Sequence, residues 1–422
     1  MHTASEQENQ SVDTKPAAPI SDQSDRSGST SGSGGTASKL TSPPTTPSGN
    51  KDASAVEFSW LLQVAKAFRQ SCSNFGINVV DCDPHRADVG PTVARFPFRI
   101  AQGQSRRKLD QYLEDIGREM SITNILIQPI QNSPYLALDV PVPMAKRKEY
   151  GFIPEGLPQL PLITSAEQMP LALGVSPTGA VVVRDLRDLV HMLVGGATGA
   201  GKTIFLYTVI LSLLARHRDP AQLEFILCTS KPEDFTFFEA IPHLYGRSII
   251  GSAAGAIEAI RQVSAELLTE RSDLLIQDRV RSIEDYNRKR EAKDWLRPVV
   301  VVVDEFADLG DQVHDDRRAR EAFYTNIRQI AQAGRNRGVH LVLCTQRPTT
   351  DLIPGSIKSQ MNARVALKMN AALDSRIILD QDGAERLLGK GDLLFKDPGT
   401  LERLQGFRCD AEEVEHFLED LK

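Results

Sequence analysis

Of the 422 residues, 41% are hydrophobic, 25% are charged and 6% are aromatic, and the formal net charge is −6. This is a globular composition with length for two or three domains, and it excludes a surface that is basic all over while leaving room for a local basic channel. Five cysteines (Cys72, Cys82, Cys228, Cys344, Cys409) form no CxxC pair, so neither a disulfide scaffold nor structural zinc is expected. The longest apolar run, 204–215, is shorter than the ~20 residues a membrane span requires, and no charged-then-apolar leader opens the chain. A cytoplasmic protein with no membrane contact is the expectation.

In chain order, 1–55 come first: more than half are Ser, Thr, Gly or Pro, too polar to offset the entropy of ordering. A disordered tail is expected, either a plain tether or a segment that docks a protein partner. Phe58, Trp60, Leu61, Val64 and Phe68 then recur at helical spacing up to Gly76. Apolar or alternating runs at 77–80, 92–100, 125–130 and 135–140, with an amphipathic stretch at 109–120, predict a small α+β domain over 56–145. Residues 146–170, basic and then Pro-rich, read as a linker. From 171 to 422, strands expected at 181–183, 191–194, 224–228, 299–303 and 340–344 alternate with helices from 201, over 254–278 and over 320–336. The implied fold is α/β, a largely parallel sheet with helices on both faces.

Gly196-Ala197-Thr198-Gly199-Ala200-Gly201-Lys202-Thr203 fits G-x-x-x-x-G-K-[ST] at every fixed position, following a strand and opening a helix. The glycines allow backbone amides to turn toward phosphate oxygens at a helix N-terminus. Lys202 is placed to reach the β- and γ-phosphates and Thr203 to ligate Mg²⁺, which implies ATP and Mg²⁺ as cofactors. Val299–Val303 then delivers Asp304, expected to support the metal, and Glu305, expected to activate water. An acidic turn after an apolar strand is common by itself; the upstream loop gives this one its meaning. Gln346, after the run 341–345, either senses the γ-phosphate or satisfies the strand end. Arg335 and Arg337 either complement a helix C-terminus or supply an arginine finger to a neighbouring subunit.

Taken together these motifs resemble the FtsK/SpoIIIE family of hexameric double-stranded DNA translocases. The resemblance runs through Leu171-Ala172-Leu173-Gly174, 191–199, 241–244, Val303-Asp304-Glu305-Phe306-Ala307-Asp308-Leu309, 338–348, 374–380 and 383–392. It implies that the small domain corresponds to the family's α domain and the rest to its RecA-like motor, and that a homo-oligomeric ring encircles duplex DNA. It places Arg335 as the trans-acting finger. Lys358, Arg364 and Lys368 are the candidate phosphate contacts in the pore, a grip independent of base sequence and sensitive to salt.

The sequence also departs from the family's pattern. Thr229-Ser230-Lys231 stands where the family has Asp-Pro-Lys, and 310–320 is longer and more charged than usual. The chain stops where family motors often continue into a winged-helix γ domain, so built-in reading of DNA polarity is not expected. Two other functions fit the same motifs: a protein-translocating ATPase of the same superfamily, and a slow nucleotide-binding recruitment subunit.

Overall fold

An apolar stripe of Leu61, Val64, Ala65, Phe68 and Cys72 is buried along helix α1 (Ala55–Asn74). Gly76, at φ +65°, ends the run, and the Ile77 amide returns to the Cys72 carbonyl (2.8 Å). The computed structural model describes residues 55–160, 168–312 and 316–420. The tail read over 1–55 therefore lies outside the described residues except for Ala55, which opens α1. Strands β1 (Val79–Cys82), β2 (Asp88–Val89) and β3 (Val93–Ile100) follow, then α2 (Arg106–Gln111) and α3 (Leu113–Glu119), then β4 (Leu126–Pro129) and β5 (Leu136–Pro141). They form an antiparallel sheet in the order β1-β3-β5-β4, with β2 beside β3, and α1, α2 and α3 close its core around Phe68, Phe96 and Ile116.

Within the stretch read as a linker, residues 151–156 are docked on the sheet. Phe152 is fully buried against Phe407, with ring centroids 5.8 Å apart, and its amide donates to the Arg408 carbonyl (2.8 Å). Pro-rich sequence read as linker because it lacks periodicity, whereas one aromatic side chain suffices to pin it.

The larger sheet begins with β6 (Pro170–Val175) and β7 (Val181–Asp185), then α4 (Leu186–Leu189), β8 (Met192–Gly195), α5 (Lys202–Arg216) and β9 (Glu224–Cys228). Helices α6 (Ala253–Gln262) and α7 (Leu268–Gln277) follow, joined by a π-helical turn at Val263–Leu267, then α8 (Ile283–Asn287), β10 (Val299–Val303), α9 (Phe306–Gln312) and α10 (Arg317–Ala333). The chain continues through β11 (Val339–Thr345), α11 (Gly355–Lys358), β12 (Ala363–Leu367) and α12 (Ala372–Leu379). It finishes with β13 (Asp392–Asp397), β14 (Thr400–Gln405) and α13 (Ala411–Glu419). Nine strands lie in the order β7-β6-β14-β13-β12-β8-β11-β10-β9. The half from β12 to β9 is parallel, as expected; β13, β14, β6 and β7 extend it antiparallel. Between β13 and β14 only Pro398 and Gly399 intervene, far too few residues for a parallel crossover.

Strand β10 shows why the fold is layered. Val300 and Val302 pack on the face covered by α5, while Val299, Val301 and Val303 pack on the face covered by α6, α9 and α10. Both faces are buried, which is what an unbroken run of valines allows. The C-terminal ends of β8, β10 and β11 consequently lie side by side, and each carries a functional segment.

The small domain is tied to this sheet by buried charge. Arg403 on β14 holds Asp392 through two hydrogen bonds (3.0 and 2.7 Å) and lies 3.8 Å from Asp139 on β5, which Arg95 grips bidentately (2.7 and 2.8 Å). Among the described residues no helix is long and apolar enough to cross a membrane.

Candidate nucleotide site

The loop from Gly196 to Thr203 leaves β8 and enters α5. Gly199 (φ +76°) and Gly201 (φ +106°) adopt left-handed backbone, and at Gly201 a Cβ would lie 2.8 Å from the Gly391 amide. Gly196 donates to the Thr345 carbonyl (3.2 Å), Ala197 to the Lys368 carbonyl (2.9 Å), and the Ala200 carbonyl accepts from Gly391 (2.8 Å). The loop is thus fastened to β11, β12 and the turn before β13. The amides of Thr198, Gly199 and Gly201 donate to no carbonyl among the described residues, and the first-turn amides of α5 have no intrahelical acceptor. That is the donor set an anion needs.

Lys202 is 5% exposed and points at the acidic pair: Nζ donates to the Asp304 carbonyl (2.7 Å) and lies 3.1 Å from Asp304 Oδ1 and 3.2 Å from Glu305 Oε2. Burial by itself would lower its pKa; the adjoining Cys344, Asp304 and Glu305 reverse that, and the net shift is upward. The ammonium stays charged. Phosphate oxygens offered at the loop would compete with these carboxylates for it.

Glu305 accepts from the Thr345 hydroxyl (2.9 Å) and from the Gln346 amide (3.0 Å), so it is oriented by β11. The Gln346 side chain in turn accepts from the Thr198 hydroxyl (2.7 Å). Gln346 thus holds Glu305 through its backbone amide and touches the phosphate loop through its side chain. Asp304 accepts from the Thr229 hydroxyl through Oδ2 (3.3 Å), while Oδ1 is buried with no hydrogen bond. Thr203, on the first turn of α5, has a side chain with no hydrogen bond among the described residues. One hydroxyl without a partner and one carboxylate, whose Oδ1 faces the Lys202 ammonium that phosphate would draw away, fit Mg²⁺, which keeps most of its ligands as water and phosphate. No group of three or more His, Cys, Asp or Glu forms a metal cage among the described residues.

Thr345 and Thr229 are contributions the sequence left unassigned. Thr345 sits within an apolar run, with nothing to mark its hydroxyl as an orienting group. Thr229 stood out only as a departure from a family pattern. Beside the loop, a cavity of about 440 Å³ opens between Gly201, Ile204, Lys390, Phe407, Tyr150 and Thr92. The small domain and the stretch read as linker form part of its wall.

The other candidates lie elsewhere. Arg335 is exposed, its side chain without a partner among the described residues, in a turn that precedes β11. It stands at the opposite edge of the sheet from the phosphate loop, the seven residues of β11 or about 20 Å away. Arg337 is structural, donating to the Ala333 carbonyl and to Ser272 (both 3.0 Å). Of the candidate DNA contacts, Lys358 and Arg364 both pair with Asp380, and the Arg364 side chain is 14% exposed. Burial alone would raise the Asp380 carboxyl, but Lys358 and Arg364 bring it down to about 2. Lys368 closes β12 against the phosphate loop through its carbonyl, so it too belongs to the neighbourhood of the nucleotide site.

Comparison with known proteins agrees with this geometry. Residues 159–350 match the FtsK/SpoIIIE family and 46–142 match the FtsK alpha domain. The DNA translocase FtsK of Pasteurella multocida is 32% identical over 394 residues, covering 86% of this chain and 40% of that protein. That of Clostridium acetobutylicum is 32% identical over 367 residues, covering 85% and 46%. The chain thus spans less than half the length of these relatives. Among solved structures, the pCW3 conjugation coupling protein TcpA, in monomer form with ATPgS, superposes with a TM-score of 0.59 at 19% identity, over 85% of this chain and 100% of that one. The cytoplasmic domain of the Thermomonospora curvata Type VII secretion ATPase EccC gives 0.52 at 23% identity, over 60% and 31%. At such identities the likeness is one of fold.

Proposed function

The chain belongs to the FtsK/SpoIIIE family, and from that premise we propose that it is a cytoplasmic ATP-driven motor that moves double-stranded DNA through a homo-oligomeric ring, a hexamer in the family's manner. One observation carries the reading. Lys202, Asp304, Glu305, Gln346 and Thr198 converge at one edge of the sheet, while the unpartnered Arg335 stands at the other. A single chain therefore holds a hydrolytic half-site and a cation it cannot bring to that half-site, the division expected where neighbours complete one another.

In this reading the phosphates lie on the free amides of the loop and on Lys202, and the nucleoside half enters the cavity by Gly201, Tyr150 and Phe407. Thr203 and Asp304 hold Mg²⁺, which neutralises developing phosphate charge when bound. Glu305, oriented by Thr345 and Gln346, takes the proton from the attacking water. Gln346 links that carboxylate to Thr198 and reports the γ-phosphate to the loop after β11. Arg335 enters the neighbour's site and stabilises transition-state charge, an effect worth about 10³–10⁵ in rate where it operates. The grip on DNA is through phosphates and independent of base sequence.

The test is the ATPase rate with and without linear duplex DNA, across a salt series, for wild type, Glu305→Gln and Arg335→Ala. Stimulation that falls with salt and disappears in both variants is expected. A rate indifferent to duplex DNA would sink the translocase reading and turn attention to a polypeptide substrate.

A further inference from the structure

Arg271, on α7, is 4% exposed and forms no ion pair among the described residues. A guanidinium taken out of water without a carboxylate is an expensive arrangement unless carbonyls satisfy it. Here three do. Arg271 donates to the carbonyls of Arg337, Gly338 (3.4 Å) and Arg297 (2.8 Å). Arg337 and Gly338 end the turn that Arg335 begins, and Arg297 precedes β10, whose far end carries Asp304 and Glu305.

The same turn is held from two further sides. Next to Arg271, Ser272 accepts from Arg337 (3.0 Å). Gly338, at φ +63°, lies so close to α8 that a Cβ would meet Ile283 Cδ1 at 2.0 Å. The Arg337 side chain and Gly338 are thus committed to the protein, while the Arg335 side chain is exposed without a partner among the described residues. The helical rod that bears Arg271 reaches the other edge of the sheet as well. At its start, Ser252 and Ala253 line a cavity of about 50 Å³ with Glu305 and Asp308. At its π-helical turn, Ser264 donates to Gln329 of α10 (2.6 Å), and such turns interrupt helices frequently at functional sites.

We infer that Arg271 is a positioning residue for Arg335: it fixes the Arg335–Gly338 turn in the register at which the finger meets a neighbouring protomer's nucleotide. This rests on the reading of Arg335 as acting in trans. Arg271 touches no substrate itself, and its own protomer's half-site is left intact when it is changed.

The test uses Arg271→Lys in the full chain, which keeps the charge but cannot span three carbonyls. DNA-stimulated kcat should fall between about 10- and 100-fold, the scale of a misplaced catalytic group, while KM for ATP stays within about two-fold. Mixing Arg271→Lys with Glu305→Gln should restore turnover above either variant alone, because the second protein supplies a well-placed finger to the first protein's intact half-site. An unchanged kcat, a raised KM, or no recovery on mixing overturns the inference. Ser272→Ala, a milder change that removes one tie to Arg337, should show the same recoverable loss at smaller amplitude, and it decides the matter if Arg271→Lys does not fold. Arg335→Ala mixed with Glu305→Gln tests the trans reading separately. No recovery there sinks that reading, whereas recovery there but not for Arg271→Lys sinks this inference alone.

Discussion

At the scale of single residues, the nucleotide site is a set of carboxylates held by hydroxyls. Glu305 is shared among Lys202, Thr345 and the Gln346 amide, so Glu305→Gln keeps the shape and loses the base. It should leave nucleotide binding measurable by fluorescent-analogue titration and lower single-turnover hydrolysis by about 10²–10⁴. The Thr229 hydroxyl donates to Asp304 Oδ2 and so holds the carboxylate from the side away from Lys202 Nζ's contact with Oδ1. Thr229→Val should raise the Mg²⁺ concentration for half-maximal activity about ten-fold, the loss of one hydrogen bond to a charged group, and Thr229→Ser should not. Lys202, Asp304 and Glu305 were legible because motif spacing encodes their chemistry. The pairing of Lys358 and Arg364 was not legible, because a basic side chain does not announce its partner. Asp380 lies 22 and 16 residues further on, and only the fold brings them together. Lys358→Ala should therefore lower the melting temperature and leave the salt slope of DNA binding unchanged.

At the scale of elements, the parallel strands carry a pH liability at their bases. His191 and His340 precede β8 and lie within β11, His217 ends α5, and His243 lies against β9; all four are buried and bond to backbone. Burial is the first cause in each case, and it lowers all four pKa values, that of His191 to about 3. In the unfolded chain each titrates near its ordinary value of 6.5. Below that pH the unfolded state binds more protons, so this stability is complete above 6.5 and is lost as pH falls toward the folded values. Denaturant midpoints should hold from pH 7.5 to about 6.5 and decline from there to pH 5, each histidine contributing up to about 1.4 kcal/mol per pH unit. The strands β8 to β11 were visible as apolar runs. Strands β13 and β14 were not, because buried Asp392 and Arg403 interrupt their pattern with charges that only each other's presence permits.

At the scale of the whole molecule, the connection between the small domain and the sheet rests on Asp139 and Arg403, both buried. Asp139→Ala would leave Arg95 and Arg403 without their shared acceptor. Removal of one partner from a buried ionic group costs about 3–5 kcal/mol, and chemical denaturation of the variant should show that loss. The pairing also matters to function as proposed. Asp392, at the motor end of the chain of charges, accepts from the Leu388 amide (2.8 Å) beside the Gly389–Gly391 turn that backs the phosphate loop. Nucleotide occupancy and the seat of the small domain therefore share one set of contacts.

The amino-acid order alone determined the phosphate loop, the carboxylates after β10, the small α+β domain's elements and the family. These depend on spacing within a few residues or on periodic burial, and both are local. Tertiary structure alone decided the antiparallel half of the sheet, the docking of Phe152, the capture of Lys358 and Arg364 by Asp380, and the separation of Arg335 from its own chain's phosphate loop. Each of these depends on which distant groups are brought within a few ångströms of one another, and short-range electrostatics and packing act only after the chain has folded to that distance.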